Sequence, residues 1–290
     1  MIPLLNASGC LDALTAPDVA RSLDGFVTKT VTPLAREGNA PPRIAETDAG
    51  MLNSIGLQNP GIEAFVDEHL PRLEKLETPL WVSVGGFSAT DFARACERLD
   101  DCGAVRVVEL NLSCPNVEEA AETAAELVRA SRAATERTLY AKLSPASWDV
   151  AETARAVADA GADGLSLVNT IRGLALERAT RRPVLGRGAG GYSGPALRPV
   201  ALACVDACAR AVDLPIVGMG GVATGTDVLD LIDVGASAVA LGTILFSDPL
   251  APLRIRRELS AATDAGRGPG GLGNRPEERE RAAPPTASPI

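Results

Sequence analysis

With 290 residues, 46% of them hydrophobic, the chain has enough apolar material for one large core, which excludes a fully disordered protein. A net charge of -9 and 3% aromatic residues leave neither a basic patch for a phosphate backbone nor a stacking platform for bases, so nucleic acid is excluded as a partner. No apolar run approaches the roughly 18 residues that cross a bilayer, and MIPLLNASGC lacks the charged start and cleavage site of a signal peptide. The chain therefore reads as soluble and cytoplasmic, with no membrane partner.

In chain order, short apolar runs alternate with helical segments. Strands are expected near Leu4 to Ser8 and Gly25 to Thr30, followed by a mostly polar helical stretch from Glu63 to Glu77. Next come a strand at Leu80 to Val84, a helix at Ala89 to Asp101, a strand at Val107 to Leu112 and a helix at Glu118 to Thr135. The alternation continues with a strand at Leu139 to Ser144, a helix at Asp149 to Ala160, a strand at Gly164 to Asn169 and a helix at Pro195 to Ala211. It ends with a strand at Pro215 to Met219, a helix at Gly225 to Val234 and a strand at Ala238 to Thr243. Eight strands separated by helices predict an α/β fold, a single-domain (β/α)8 TIM barrel over residues 1–262. The rival, an open doubly wound sheet, would carry GxGxxG after its first strand, and that signature is missing. From Thr263 to Ile290 the composition turns to Gly, Pro, Arg, Glu and Ala with almost nothing to bury, which predicts a disordered tail.

In a barrel the ends of all eight strands crowd one rim, the face where such enzymes do their chemistry. Here those ends are polar or glycine: Asn6 and Ser8, Lys29 and Thr30, Gly85 and Gly86, Asn111 and Cys114, Lys142 and Ser144, Asn169 and Thr170, Gly220 and Gly221, Gly242 and Thr243. The glycine-rich turns after the last two strands, GMGGVATG and LGT, let backbone N–H groups approach an anion, and predict a cofactor phosphate there. Lysine is scarce, with only Lys29, Lys75 and Lys142 against 25 arginines, and two of the three end apolar strands. The only histidine, His69, reads as an exposed helix residue, so a triad or a two-histidine metal site is excluded. Six cysteines (Cys10, Cys96, Cys102, Cys114, Cys204, Cys208) form no CxxC pair; Cys204 and Cys208 read as helix packing, and neither zinc nor an iron–sulfur cluster is expected in this chain.

These rim residues fall in motifs that resemble the class 1 dihydroorotate dehydrogenases: NASG (from Asn6), TKTVT (from Thr28), NSIGLQNPG (from Asn53), ELNLSCPN (from Glu109), KLSP (from Lys142), LVNT (from Leu167), GGYSGPA (from Gly190) and GMGGV (from Gly218). The resemblance implies an FMN-dependent barrel that oxidises dihydroorotate to orotate in pyrimidine biosynthesis. It places Ser8, Lys29, Thr30, Asn111, Lys142, Val168, Gly194, Gly220, Gly221, Gly242 and Thr243 on FMN-binding positions. Lys29, Asn53, Ser54, Ile55, Gly56, Leu57, Asn111, Asn116, Asn169 and Thr170 fall on substrate-binding positions, and Cys114 on the catalytic base.

The chemistry suits these residue types. Oxidising the C5–C6 bond needs a base facing a flavin across the ring, and a thiol just before a helix beginning near Val117 would have its thiolate favoured. Asparagine matches the amide edges of a flat ring without adding charge, while Lys29 would pair with the carboxylate. Lys142 would stabilise charge near flavin N1. Asn116, three residues before Glu119, also reads as a helix cap.

Two departures stand out. NVEEAAETAAELV runs straight on where the family inserts a glycine-rich lid, which leaves open a related FMN-dependent dihydropyrimidine or enone reductase; and Ser83 stands where the third strand usually ends in asparagine. The cysteine base and the short start disfavour the quinone-using class. IGLQNPG and the segment Arg172 to Ala196 look most like the NAD-linked type, which implies a homodimeric core with a partner subunit carrying FAD and a [2Fe-2S] cluster; the fumarate-linked homodimer is the alternative.

Overall fold

A computed structural model describes residues 1–112, 123–147 and 149–264. Twelve strands are found among them: β1 (Leu4–Asn6), β2 (Phe26–Val27), β3 (Ile44–Thr47), β4 (Gly50–Asn53), β5 (Leu80–Val84), β6 (Val105–Asn111), β7 (Thr138–Leu143), β8 (Gly164–Leu167), β9 (Ile171–Gly173), β10 (Gly190–Ser193), β11 (Ile216–Met219) and β12 (Ala238–Leu241). Eight of them form one parallel sheet in the order β1-β12-β11-β8-β7-β6-β5-β2, which contains every strand expected from the apolar runs. A parallel bridge between Leu5 and Gly25 joins its two ends, closing the barrel.

Closure is short of backbone, because β2 has only two residues. The Asn6 side chain supplies the difference. Its Nδ2 donates to the Val27 carbonyl at 2.7 Å and its Oδ1 accepts from the Val27 N–H at 2.9 Å, so the carboxamide behaves as an extra peptide unit in the ladder. Asn6 is 0% exposed and sits inside the seam, a correction to its expected place on the rim. One turn lower, Asp24 accepts from the Leu4 N–H at 2.7 Å and from Arg256 at 2.6 Å, which ties the helix Ala251–Asp264 to the same seam.

Alternation along the strands divides the apolar residues into two cores. Leu5, Val27, Val217, Met219 and Ala240 fill the barrel, with Trp81 packed on Tyr140 at 4.7 Å. Leu4, Phe26, Val82, Val108 and Leu139 point outward against the helices, to which Phe92, Leu99, Val128 and Val157 contribute. Cys204 and Cys208 are buried on the helix Arg198–Ala211, and burial pushes the Cys208 thiol up to about 12. Three of the other long helices start where a short polar side chain caps them: Ser88 before Ala89–Asp100, Asp149 before Val150–Asp159, Thr224 before Gly225–Asp233. Among the described residues, no helix is long and apolar enough to cross a membrane.

Three local readings are corrected. The helix expected from Glu118 is described from Ala124 to Ala134, with Thr123 and Glu126 forming the capping box; Glu119 and Val117 lie outside the described residues. The stretch around His69 is a patchwork: a π turn at Phe65–His69 precedes Pro71, which has no N–H to donate to the preceding turn, and a 3-10 turn follows at Glu74–Leu76. A second, antiparallel sheet in the order β3-β4-β10-β9 was not expected. Its strands are short, partly exposed and rich in glycine, so they carry no hydrophobic alternation. The tail past Asp264 lies outside the described residues.

Asn6→Leu keeps the volume but orphans the buried N–H and C=O of Val27. At about 1–3 kcal/mol for each unpaired buried group, the variant is expected to lose roughly 2–4 kcal/mol in urea unfolding. A loss below about 0.5 kcal/mol would show that the seam does not depend on this amide.

Candidate active site

The strand ends open into a cavity of about 1020 Å³. Ser8 follows β1, Lys29 and Thr30 follow β2, Asn111 and Lys142 lie on β6 and β7, and Val168, Asn169 and Thr170 follow β8; all of them line it. Gly220 and Gly221 after β11, and Gly242 and Thr243 after β12, line the same space. The second sheet forms a wall, bringing in Asn53, Ile55, Gly56, Leu57 and Gly194. Ser54 is not among the lining residues: its hydroxyl accepts from Asn39 Nδ2 at 2.9 Å and the residue is buried. Cys114 and Asn116 lie outside the described residues.

Hydrogen bonds lock the rim into one polar arc. Ser8 Oγ lies 3.3 Å from Thr30 Oγ1, which accepts from Asn111 Nδ2 at 3.1 Å; Asn111 Oδ1 accepts from Asn169 Nδ2 at 3.1 Å. Ser83, buried on β5, meets Thr30 Oγ1 at 3.0 Å, so it supports the arc from behind instead of facing the cavity. Five strands or their ends thus contribute to a rigid cluster of hydroxyls and amides.

The electrostatics of the cavity oppose those of the protein. The chain carries -9, yet among the described residues the charged lining side chains are Lys29, Arg36 and Lys142 against the single carboxylate of Asp12. Such a surplus in a concave site favours an anion. Lys29 reaches Gln58 Oε1 at 3.5 Å, and Arg43 donates to the same oxygen at 3.2 Å. Desolvation and, secondarily, Arg43 hold the Lys29 ammonium below the ordinary lysine range. Lys142 is 5% exposed and pairs with the buried Glu109 at 3.4 Å. Beside them, burial pushes the Cys10 thiol up to about 11, with Lys142 pulling it down and Glu109 raising it, so it is a neutral thiol at neutral pH.

Beyond the last two strands the backbone needs glycine. Gly220 has φ +119° and Gly221 φ +79°, and a Cβ on Gly221 would stand 2.8 Å from the Arg198 backbone nitrogen. Gly194 has φ +117°, where a Cβ would stand 2.6 Å from the Gly50 Cα. Thr243 Oγ1 donates to or accepts from Ser193 Oγ at 2.8 Å beside them. Bare backbone with adjacent hydroxyls is the donor set for a phosphate.

Several residues at the site were not singled out from the sequence. Glu109 carried a signal, a charge in the middle of an apolar strand two residues before Asn111. Arg36, before β3, and Gln58, after β4, come from two irregular loops that have no periodicity to read. His69, expected to be exposed, is half-buried, stacks on Phe65 at 6.3 Å and lines the cavity.

A barrel whose catalytic face holds a cationic, amide-lined cavity with a glycine-built anion end is a TIM-barrel enzyme site for a phosphate-bearing cofactor and a small anionic substrate. The family model for dihydroorotate dehydrogenase matches residues 2–262. The catalytic subunit of dihydroorotate dehydrogenase B (NAD(+)) from Listeria monocytogenes is 41% identical over 273 residues, covering 91% of this chain and 90% of that one. The subunit of the same name from Cutibacterium acnes is 43% identical over 274 residues, covering 90% and 89%. A chain named as a fumarate-type dihydroorotate dehydrogenase A, from Solibacter usitatus, is 45% identical over 245 residues, covering 82% and 81%. A crystal structure of the Eimeria tenella enzyme with ferulenol superposes with a TM-score of 0.77 at 23% identity, over 94% of this chain and 86% of that one, and bears on the fold alone. The chain belongs to the dihydroorotate dehydrogenase family, and within it to class 1.

Gly221→Ala puts a side chain into a positive-φ position against backbone that cannot give way. A stability loss of about 1–3 kcal/mol and at least tenfold weaker retention of a phosphate-bearing cofactor are expected, read by thermal unfolding and equilibrium dialysis. Wild-type behaviour in both would mean that the turn is not the anion end.

Proposed function

We propose that the protein oxidises (S)-dihydroorotate to orotate in pyrimidine biosynthesis with bound FMN, and passes the electrons to NAD through a partner subunit carrying FAD and a [2Fe-2S] cluster. The observation that carries the reading is the surplus of cations in a cavity lined by amides, inside a chain of net charge -9 that belongs to this family. The residues present fit FMN. The cavity has the volume for it, Gly194, Gly220, Gly221, Gly242 and Thr243 suit its phosphate, and Ser8, Thr30, Asn111, Lys142 and Val168 would hold its ring system. When bound, FMN supplies a two-electron acceptor for the hydride leaving C6.

The chain's own residues do the rest. The Cys114 thiolate takes the proton from C5, so loss of one proton and one hydride leaves the C5–C6 double bond. Asn53, Asn111 and Asn169 present amide edges to the planar ring, with Asn116 and Thr170 assigned to the same ligand. Lys29 neutralises the carboxylate. Lys142 holds an ammonium at the cavity floor, where negative charge accumulates as the substrate is oxidised. The loops that carry Ile55, Gly56 and Leu57 form the side against which the substrate rests, with Ser54 buried behind them.

A second acceptor is favoured by one observation: the fumarate-type relative is as similar as the NAD-linked ones. In that reading the chain works as a homodimer without the electron-transfer subunit. The deciding experiment is an anaerobic spectrum. Purified protein is expected to be yellow and to bleach with dihydroorotate, and to recover with NAD only when the partner subunit is present. Recovery with fumarate alone assigns the second reading; flavin that stays oxidised with dihydroorotate sinks the proposal.

Cys114→Ser is expected to slow bleaching at pH 7 by about 100-fold or more while the colour stays, as removal of a general base does. Lys29 makes the pH dependence specific. Its ammonium is present below its lowered pKa and lost as pH rises through it, so orotate affinity falls at a pH below that of an ordinary lysine. In Lys29→Met that pH dependence should vanish, and orotate should weaken at least tenfold more than uracil; equal weakening of the two would assign a substrate without the carboxylate.

A further inference from the structure

We propose that Glu109 is a positioning residue that acts through Lys142 to set the reduction potential of the bound flavin; the inference rests on the function proposed above. On β6, Val108 and Leu110 face the outer core while Glu109 faces the barrel interior. The β6–β7 register sets Asn111 beside Lys142 and Glu109 one step deeper, beside Tyr140. Lys142 therefore stands between two environments: the cavity that it lines and the carboxylate beneath it, which does not line the cavity. Glu109 is 1% exposed and Lys142 5%, with Nζ and Oε1 3.4 Å apart.

The neighbours of the pair are uncharged. The Cys10 thiol is held neutral, Ser83 and Tyr140 flank Glu109 on the adjoining strands, and Ser166, beside Lys142 on β8, buries a hydroxyl with no hydrogen-bond partner. Among the described residues, no other carboxylate is paired with the ammonium. Glu109 is the carboxylate that faces it. The same carboxylate cancels the field that the ammonium sends into the cavity, because an ion pair presents a dipole where a lone cation presents a full charge. Glu109 thus does two things: it holds Lys142 pointed at the cavity floor, and it limits how strongly that charge favours the anionic, reduced form of a ring bound above.

The test is the two-electron midpoint potential of the FMN-loaded protein, measured by dye-coupled reductive titration without dihydroorotate. Glu109→Gln keeps the shape and an acceptor for Lys142 but removes the charge. It should shift the reduction equilibrium at least tenfold toward the reduced flavin, which is about +30 mV for a two-electron couple. In a Lys142→Met background there is no ammonium for Glu109 to act through, so adding Glu109→Gln should leave the potential where Lys142→Met put it. Glu109→Asp, which keeps the charge, should stay near wild type. An unchanged potential in Glu109→Gln overturns the proposal, and so does an equal shift with and without Lys142. If Glu109→Gln alone does not fold, the Glu109→Gln/Lys142→Met double variant carries the test: recovery of fold and of the Lys142→Met potential supports the pairing, and failure to recover overturns it. A wild-type protein that takes up no FMN refutes the flavin reading itself, whereas wild-type bleaching with a flat double-variant cycle refutes only the role of Glu109.

Discussion

The site depends on the closure of a ring at its weakest seam. Seven junctions of the barrel run through ladders between named strands, but the eighth joins β1 to a strand of two residues, where the backbone has too few groups to pair. One carboxamide makes up the shortfall with two hydrogen bonds to Val27, and Asp24 with Arg256 secures the seam from below. Closure makes the carboxyl ends of distant strands neighbours. Without it, Ser8 and Lys29 would stand at opposite edges of an open sheet, and Thr30 could not link Ser8 to Asn111.

The ring is then used asymmetrically. Its lower interior is apolar, with Trp81 packed on Tyr140, while polar groups stand toward the mouth: Glu109 paired with Lys142, then the arc from Ser8 to Asn169. Burying these groups is costly unless they are paired. The pairing is what makes them stiff, and stiffness is what a site for a planar substrate needs. Placing an ammonium at the floor of a cavity in an acidic protein follows the same economy: the net charge keeps the surface repulsive to anions in general, and the cavity attracts one in particular.

Kinship and geometry bear on different parts of the function. Family membership accounts for the barrel and for the reaction class, and relatives of two acceptor types have comparable identity to this chain. In the function proposed above, the anionic character of the substrate is read by Lys29 and its surroundings. The second sheet belongs to this division too: it adds nothing to barrel closure, yet it carries Asn53 and orients the wall over the mouth.

What the sequence determined by itself was whatever has a period or a chemical scarcity. Eight apolar runs between amphipathic helices specify a parallel sheet covered on both faces, and the missing GxGxxG favours its closure into a barrel; two lysines and repeated asparagines at strand ends mark its working face. The tertiary structure decided which of those polar residues face the cavity and which hold the frame. Asn6 and Asn111 both end apolar runs, yet the first is spent inside the seam and the second lines the mouth, since the length of the neighbouring strand, invisible in either local stretch, sets what each amide has to satisfy. Glu109 as partner of Lys142, the antiparallel wall and the place of His69 were likewise settled by contacts between segments far apart in the chain, which no local pattern encodes.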